Sequence, residues 1–225
     1  MLYDETAVRA NIRNREGSRV FFLGREDCLT PSARDYLNRE RIRILPPEEA
    51  KPEAYRLLSG GFCREKPEHM THLNGEILVP KTHPRIRFRG QMDLLEAELL
   101  LCKLRTDIPE LDELLKLARR LIRCDVLEEA VGDVTLCGMT EAEQRRRSHF
   151  PQEFYGQPHF MPEAEDGERI LLLNRCRCVA RAAELAACDA FQDREGAPTR
   201  EDLLLALNRM SSMLYILMIR EKADT

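Results

Sequence analysis

Arg177, Arg181 and Glu184 recur at spacings of four and three residues in LLLNRCRCVARAAEL, residues 171–185, so in a helix all three share one face. Two like charges one helical turn apart cost about 0.2–0.5 kcal/mol unless something anionic lies opposite. Either the arginines form a solvated face balanced by Glu184, or they face an anionic ligand. A second helical segment, LLALNRMSSMLYILMI at 204–219, carries Asn208, Ser211 and Ser212 as a polar stripe on an otherwise apolar helix. A third, at 66–97, sets a turn, Lys81 and then Asp93 at the mouth of an apolar helix. A lysine after a turn is ordinarily a solvated charge. Beside a phosphate it supplies a flexible ammonium, and the backbone N–H groups of the turn from Thr71 through His72 to Gly75 could add donors.

Metal chemistry has weaker support. Cys63, His69 and His72 could supply three ligands, against the plainer reading of an isolated thiol and two loop histidines. Cys176 and Cys178 are two positions apart on a helix, which turns their side chains by roughly 200°, so one is expected in the core and the other at the surface. No helix carries a Glu-x-x-His pair, which removes a di-iron bundle. The stretch 149–167, HFPQEFYGQPHFMPEAEDG, concentrates Phe150, Phe154, Tyr155, Phe160 and Met161 in a chain without tryptophan. Such a loop is either a lid or ligand wall, or a cap on the end of a bundle.

The elements that must hold these residues are helical. Leucines recurring every three or four positions predict helices at about 84–104, 109–130, 168–191 and 198–222. A shorter helix should open at the capping box Thr140/Glu143, and Thr199 with Asp202 resembles an acidic variant of that box. Ahead of them, 1–50 reads as helix, strand, helix, strand, with VFFL and IRIL as short strands and Thr30-Pro31 as a helix start. This piece is too short for a large active site and suits docking on the bundle or on a partner. Gly60-Gly61 suggests a linker, and Asn74-Gly75 between THL and EILV is a strong hairpin signal. The expected organisation is a small α/β appendage at 1–50, a linker at 51–70, and an all-α bundle of four to five helices at 71–225.

With 225 residues, one main core is expected. Charged residues at 33% and hydrophobic ones at 43% fit a soluble globular protein, and no run of about 18 apolar residues suggests a membrane span. The charged N-terminal stretch does not read as a secretory signal, so a cytoplasmic protein whose eight cysteines are free thiols is expected. A net charge of −4 gives a nucleic-acid partner no electrostatic support, despite Arg145-Arg146-Arg147.

These segments together, with LTPSARDYLNRERIRI near the N-terminus, THL and KTHPRIRFRG in the middle and LALNRMSS near the end, resemble the cobalamin (corrinoid) adenosyltransferases, most closely the ethanolamine-utilisation type. The resemblance implies a helical bundle that binds ATP, delivered with Mg²⁺, and cob(I)alamin as substrates at an interface of a homo-oligomer, dimer or trimer. It implies that Arg177 pairs with Asp93 across a subunit boundary. Arg181 and Asn208 would contact ATP, Glu184 would buttress them, and Thr71, His72 and Lys81 would complete the phosphate contacts. Phe160 or Met161 would displace the lower ligand of the corrinoid. The chain lacks the glycine- and threonine-rich phosphate loop of the PduO type, and Ser212 stands where that type has aspartate. It also lacks the Cys-Cys-x-x-Cys cluster of enteric relatives, so no bound zinc or iron is expected. Ethanolamine ammonia-lyase, a reductase or a microcompartment shell would be partners, and location inside a microcompartment is a further implication. The alternative is a non-catalytic corrinoid- or nucleotide-binding or docking component of such a compartment.

Overall fold

The structure, a computed structural model, describes residues 1–15, 17–47 and 54–224. The chain divides into two compact units, Met1–His83 with Val126–Glu128, and Pro84–Asp125 with Glu129–Thr225.

In the first unit, the chain runs β1 (Leu2–Tyr3), α1 (Glu5–Asn11), β2 (Arg13–Arg15), β3 (Ser18–Phe22), β4 (Cys28–Leu29), α2 (Pro31–Arg39) and β5 (Arg43–Leu45). Asp4 caps α1 by accepting the Ala7 N–H at 2.7 Å. Thr30 caps α2 from Ala33 at 3.3 Å, with Pro31 in the first turn, as its sequence requires. β3 pairs with β5 in parallel and with β2 antiparallel. Buried side chains from α1, α2, β3 and the turns beside them, Val8, Ile12, Phe21, Ala33, Tyr36, Leu37 and Ile42, form one small core with Leu127.

The expected linker differs from what is found. Residues 51–53 lie outside the described residues, and 54–70 includes β6 (Tyr55–Leu57) and β7 (Phe62–Cys63). Gly60 and Gly61, at φ 99° and 84°, serve the tight reversal between these antiparallel strands instead of loosening the chain. β8 (Met70–Asn74) and β9 (Ile77–Pro80) form the hairpin signalled by Asn74-Gly75, and the sheet order is β7-β6-β9-β8. Gly75 is obligatory there: at φ 48°, a Cβ would lie 2.2 Å from the Asn14 carbonyl oxygen. The hairpin thus belongs to the first unit, and the helical unit starts at Pro84, beyond the boundary of 71 expected from sequence.

The second unit is built on α3 (Pro84–Thr106), α4 (Leu111–Leu127, its last residues grouped with the first unit), α7 (Gly167–Ala190) and α8 (Glu201–Ala223), with short helices α5 (Glu141–His149) and α6 (Pro151–Tyr155). α7 packs between α3 and α8, and α5 lies on α8. Ala180, Ala183 and Ala187 are fully buried along α7, where small side chains let neighbouring helices approach. Cys176 is buried and Cys178 exposed, and none of the eight cysteines is in a disulfide. The Thr140/Glu143 capping box forms as expected. Asp202 does not cap α8: its carboxylate accepts the Val131 N–H at 2.9 Å and pairs with Arg200. Contrary to the sequence expectation, α8 is long and apolar enough to cross a membrane by composition. However, 67% of that window is buried within the unit, the burial of a core helix. Segment 149–167 is not one open loop, since α6 and a 3₁₀ turn at Ala164–Asp166 interrupt it.

Candidate active site

α7 and α8 run side by side, and their polar stripes meet. A cavity of about 270 Å³ is lined by Arg177 and Arg181 from α7, Asn208, Ser211, Ser212 and Tyr215 from α8, and Ser148, His149 and His159 from the segments before them. Arg181 is exposed and forms no hydrogen bond or ion pair with the described residues. Among the described residues, Arg177 reaches Asn174, at 2.9 Å one turn back, and the face of Tyr215, 5.9 Å from the ring centroid. Two guanidinium groups therefore stand at one opening with no carboxylate among the described residues spent on either.

Asn208 is held from both sides. Its Nδ2 donates to Glu184 at 3.0 Å, and its Oδ1 accepts from Arg209. A guanidinium can only donate and a carboxylate only accept, so these partners fix the amide's orientation. Arg209 is 5% exposed, its Nε has no partner, and burial pushes its pKa down. Nothing in the sequence marks Arg209, because one more arginine in a charged chain gives no signal of burial.

Seven residues along α8 from Asn208, beside Arg177, the cavity wall is aromatic. Tyr215 stacks on His159 at 5.7 Å and 9°, and on Phe160 at 6.4 Å and 24°. Phe160 is partly buried against the helical core, whereas Met161 is 85% exposed. Tyr215 was legible: it lies seven residues after Asn208 and three after Ser212, on the same helical face. His159 was not, because only the fold-back of the segment after α6 brings it to α8.

Asp93 is exposed on α3 and pairs with nothing among the described residues. It shares that helix with exposed Leu94, Leu100, Leu101 and Leu104. Thr71, His72 and Lys81 belong to the first unit. Thr71 pairs with Val79 in the hairpin. The His72 ring is tied to the Gly75 carbonyl at 3.0 Å and meets Tyr55 edge-on. Lys81 bridges exposed Glu68 at 3.1 Å and holds that carboxyl below its ordinary range. A pair this exposed contributes little and is easily exchanged for another anion. Cys63, His69 and His72 do not assemble into a ligand set: among the described residues, no three His, Cys, Asp or Glu side chains converge to hold a metal ion.

Size alone does not pick the site. Cavities of about 570 and 580 Å³ lie elsewhere. In the first, Glu110 is paired with Arg220 and Glu113 accepts the Cys137 N–H. In the second, Asn74 donates to Glu128. The smaller cavity between α7 and α8 differs in presenting two guanidinium groups from one helix face, neither paired with a carboxylate among the described residues, whereas the cavity of about 580 Å³ presents the single unpaired Arg56.

The cobalamin adenosyltransferase family model matches residues 62–221, which span the hairpin and both stripes. The chain belongs to this family. It is 33% identical to the corrinoid adenosyltransferase EutT of Salmonella typhimurium strain LT2 and 31% identical to that of Escherichia coli K12, in each case over 96% of this chain and 90% of the relative. Its fold matches a variant PduO-type ATP:corrinoid adenosyltransferase from Lactobacillus reuteri complexed with cobalamin and ATP, at a TM-score of 0.50 and 17% identity, covering 68% of this chain and 86% of that one.

Proposed function

We propose that this corrinoid adenosyltransferase moves the 5′-deoxyadenosyl group of ATP onto cobalt(I) of cobalamin in the α7/α8 cavity, and that the adenosylcobalamin supplies ethanolamine ammonia-lyase. Cobalt(I) brings the electron pair: a cobalt–carbon bond forms at the 5′ carbon, the carbon–oxygen bond breaks, and triphosphate leaves with those electrons. The protein's work is to orient ATP, neutralise the leaving group and exclude water from the reduced metal. The observation that carries this reading is the pair of arginines at one opening, Arg181 without a hydrogen-bond or ion-pair partner among the described residues.

In this reading Arg181 takes the phosphates and Asn208, oriented by Glu184, takes the nucleotide. Lys81, Thr71 and His72 remain ATP contacts on the strength of the family resemblance, and Mg²⁺ enters with ATP. Phe160 and Met161 face the corrinoid, with Tyr215 backing Phe160. Asp93 meets Arg177 of a second copy. The exposed leucines beside Asp93 support that contact, because an apolar helix face in water favours burial against another chain. So does the cavity's size, which at about 270 Å³ lies below the roughly 300–1,000 Å³ usual for small-molecule sites. The reading places the enzyme in the cytoplasm, while residence in a microcompartment is a separate claim, tested by co-sedimentation with shell protein.

The test is anaerobic incubation of the purified chain with Mg-ATP and cob(I)alamin. The cob(I)alamin absorbance should decay in proportion to enzyme, with adenosylcobalamin and triphosphate appearing in equal amounts. No decay above the enzyme-free rate refutes the reading.

A further inference from the structure

We propose that His159 is a positioning residue that fixes Tyr215 as a rigid aromatic wall at the corrinoid end of the cavity. This rests on the function proposed above and adds a residue to it. The His159 Nε2 lies 3.1 Å from the backbone carbonyl of His149, and its Nδ1 lies 2.8 Å from the Tyr215 hydroxyl. A carbonyl oxygen only accepts, so Nε2 carries the proton. In the neutral ring Nδ1 is then the acceptor, and the tyrosine hydroxyl donates to it. The partners therefore dictate the tautomer.

The consequence is directional. With its proton committed to His159, the Tyr215 oxygen can only accept from anything entering the cavity, and its ring cannot swing on α8. The parallel His159 ring and the neighbouring Phe160 reinforce the same pose. His159 is itself exposed, so the core gains little from it. Its two hydrogen bonds link the C-terminus of α5, the segment after α6 and the middle of α8, which are the pieces that carry the aromatic wall. His159 bonds neither Arg181 nor Asn208, and Asn208 is held by Glu184 and Arg209, so loss of His159 should loosen the corrinoid end and leave the ATP end in place.

The test is steady-state kinetics of the full chain with His159→Ala, His159→Gln, Tyr215→Phe and the double variant His159→Ala/Tyr215→Phe, each checked by thermal melting. Glutamine carries a donor and an acceptor on one amide and can bridge both partners. His159→Ala and Tyr215→Phe should each raise KM for cob(I)alamin about tenfold and KM for ATP less than about twofold, with His159→Gln within about threefold of the parent. The double variant should be no worse than either single one. A parental corrinoid KM in Tyr215→Phe, equal rises in both KM values, or glutamine no better than alanine overturns the assignment. A parent with no turnover instead refutes the adenosyltransferase reading, so the two failures are distinct.

Discussion

Of the arginine pairs one helical turn apart in the helical unit, those on α3 and α7 are used in opposite ways. On α3, Arg85 and Arg89 converge on Asp125, which is fully buried, at 2.9 and 2.5 Å, and Arg85 also donates to the Asp125 carbonyl at 2.8 Å. On α7, Arg177 and Arg181 converge on open space. The sequence spacing is the same, so spacing alone cannot tell a structural clamp from a ligand site. What separates them is whether the fold supplies the opposing carboxylate.

The clamp should respond to mutation through stability. Asp125→Ala leaves two partly buried guanidinium groups without their shared anion and should cost about 3–5 kcal/mol, read as a large drop in the denaturation midpoint. A variant as stable as the parent would mean that the ion cluster is incidental. The cavity pair should respond through coupling. Asp93→Asn and Arg177→Ala should each lower kcat/KM, and the double variant should be little worse than either. Additive losses would show that these residues do not meet.

A smaller effect is expected at Asp202, whose carboxyl is held below its usual range chiefly by Arg200 and then by the Val131 N–H. A depressed folded-state pKa contributes stability above the unfolded value, and this is lost as pH falls through the folded one. Asp202→Asn should therefore lower the melting temperature at neutral pH and flatten its fall on acidification. An unchanged acid limb would rule the contribution out. Smallest of all is Cys63→Ala, which should match the parent in activity, with zinc and iron well below one per chain. Near-stoichiometric metal lost together with activity in this variant would overturn the metal-free expectation.

The long helices were legible because leucine periodicity directly reflects burial, and the hairpin because Asn-Gly suits only a few turns. The two strands at Tyr55–Leu57 and Phe62–Cys63 were not, since they are too short for a pattern and their Gly-Gly turn also suits a linker. Within the site, Arg177, Arg181 and Glu184 could be grouped on one helix, and Asn208 with Ser211 and Ser212 on another, because helical spacing encodes a shared face; that the two stripes meet is not in the spacing. Arg209 and His159 act through partners distant in sequence, Glu141 and Tyr215, and no local pattern carries that information.

The central claim, that the uncommitted α7 arginine serves the triphosphate, is tested most directly by Arg181→Ala in the anaerobic assay with ATP varied. Arg181 is exposed and contributes little to packing. The account therefore predicts near-complete loss of turnover, on the order of 10²–10³ in kcat/KM as for removal of a charge-stabilising donor, with the melting temperature unchanged. A variant with parental kcat and parental KM for ATP would contradict it.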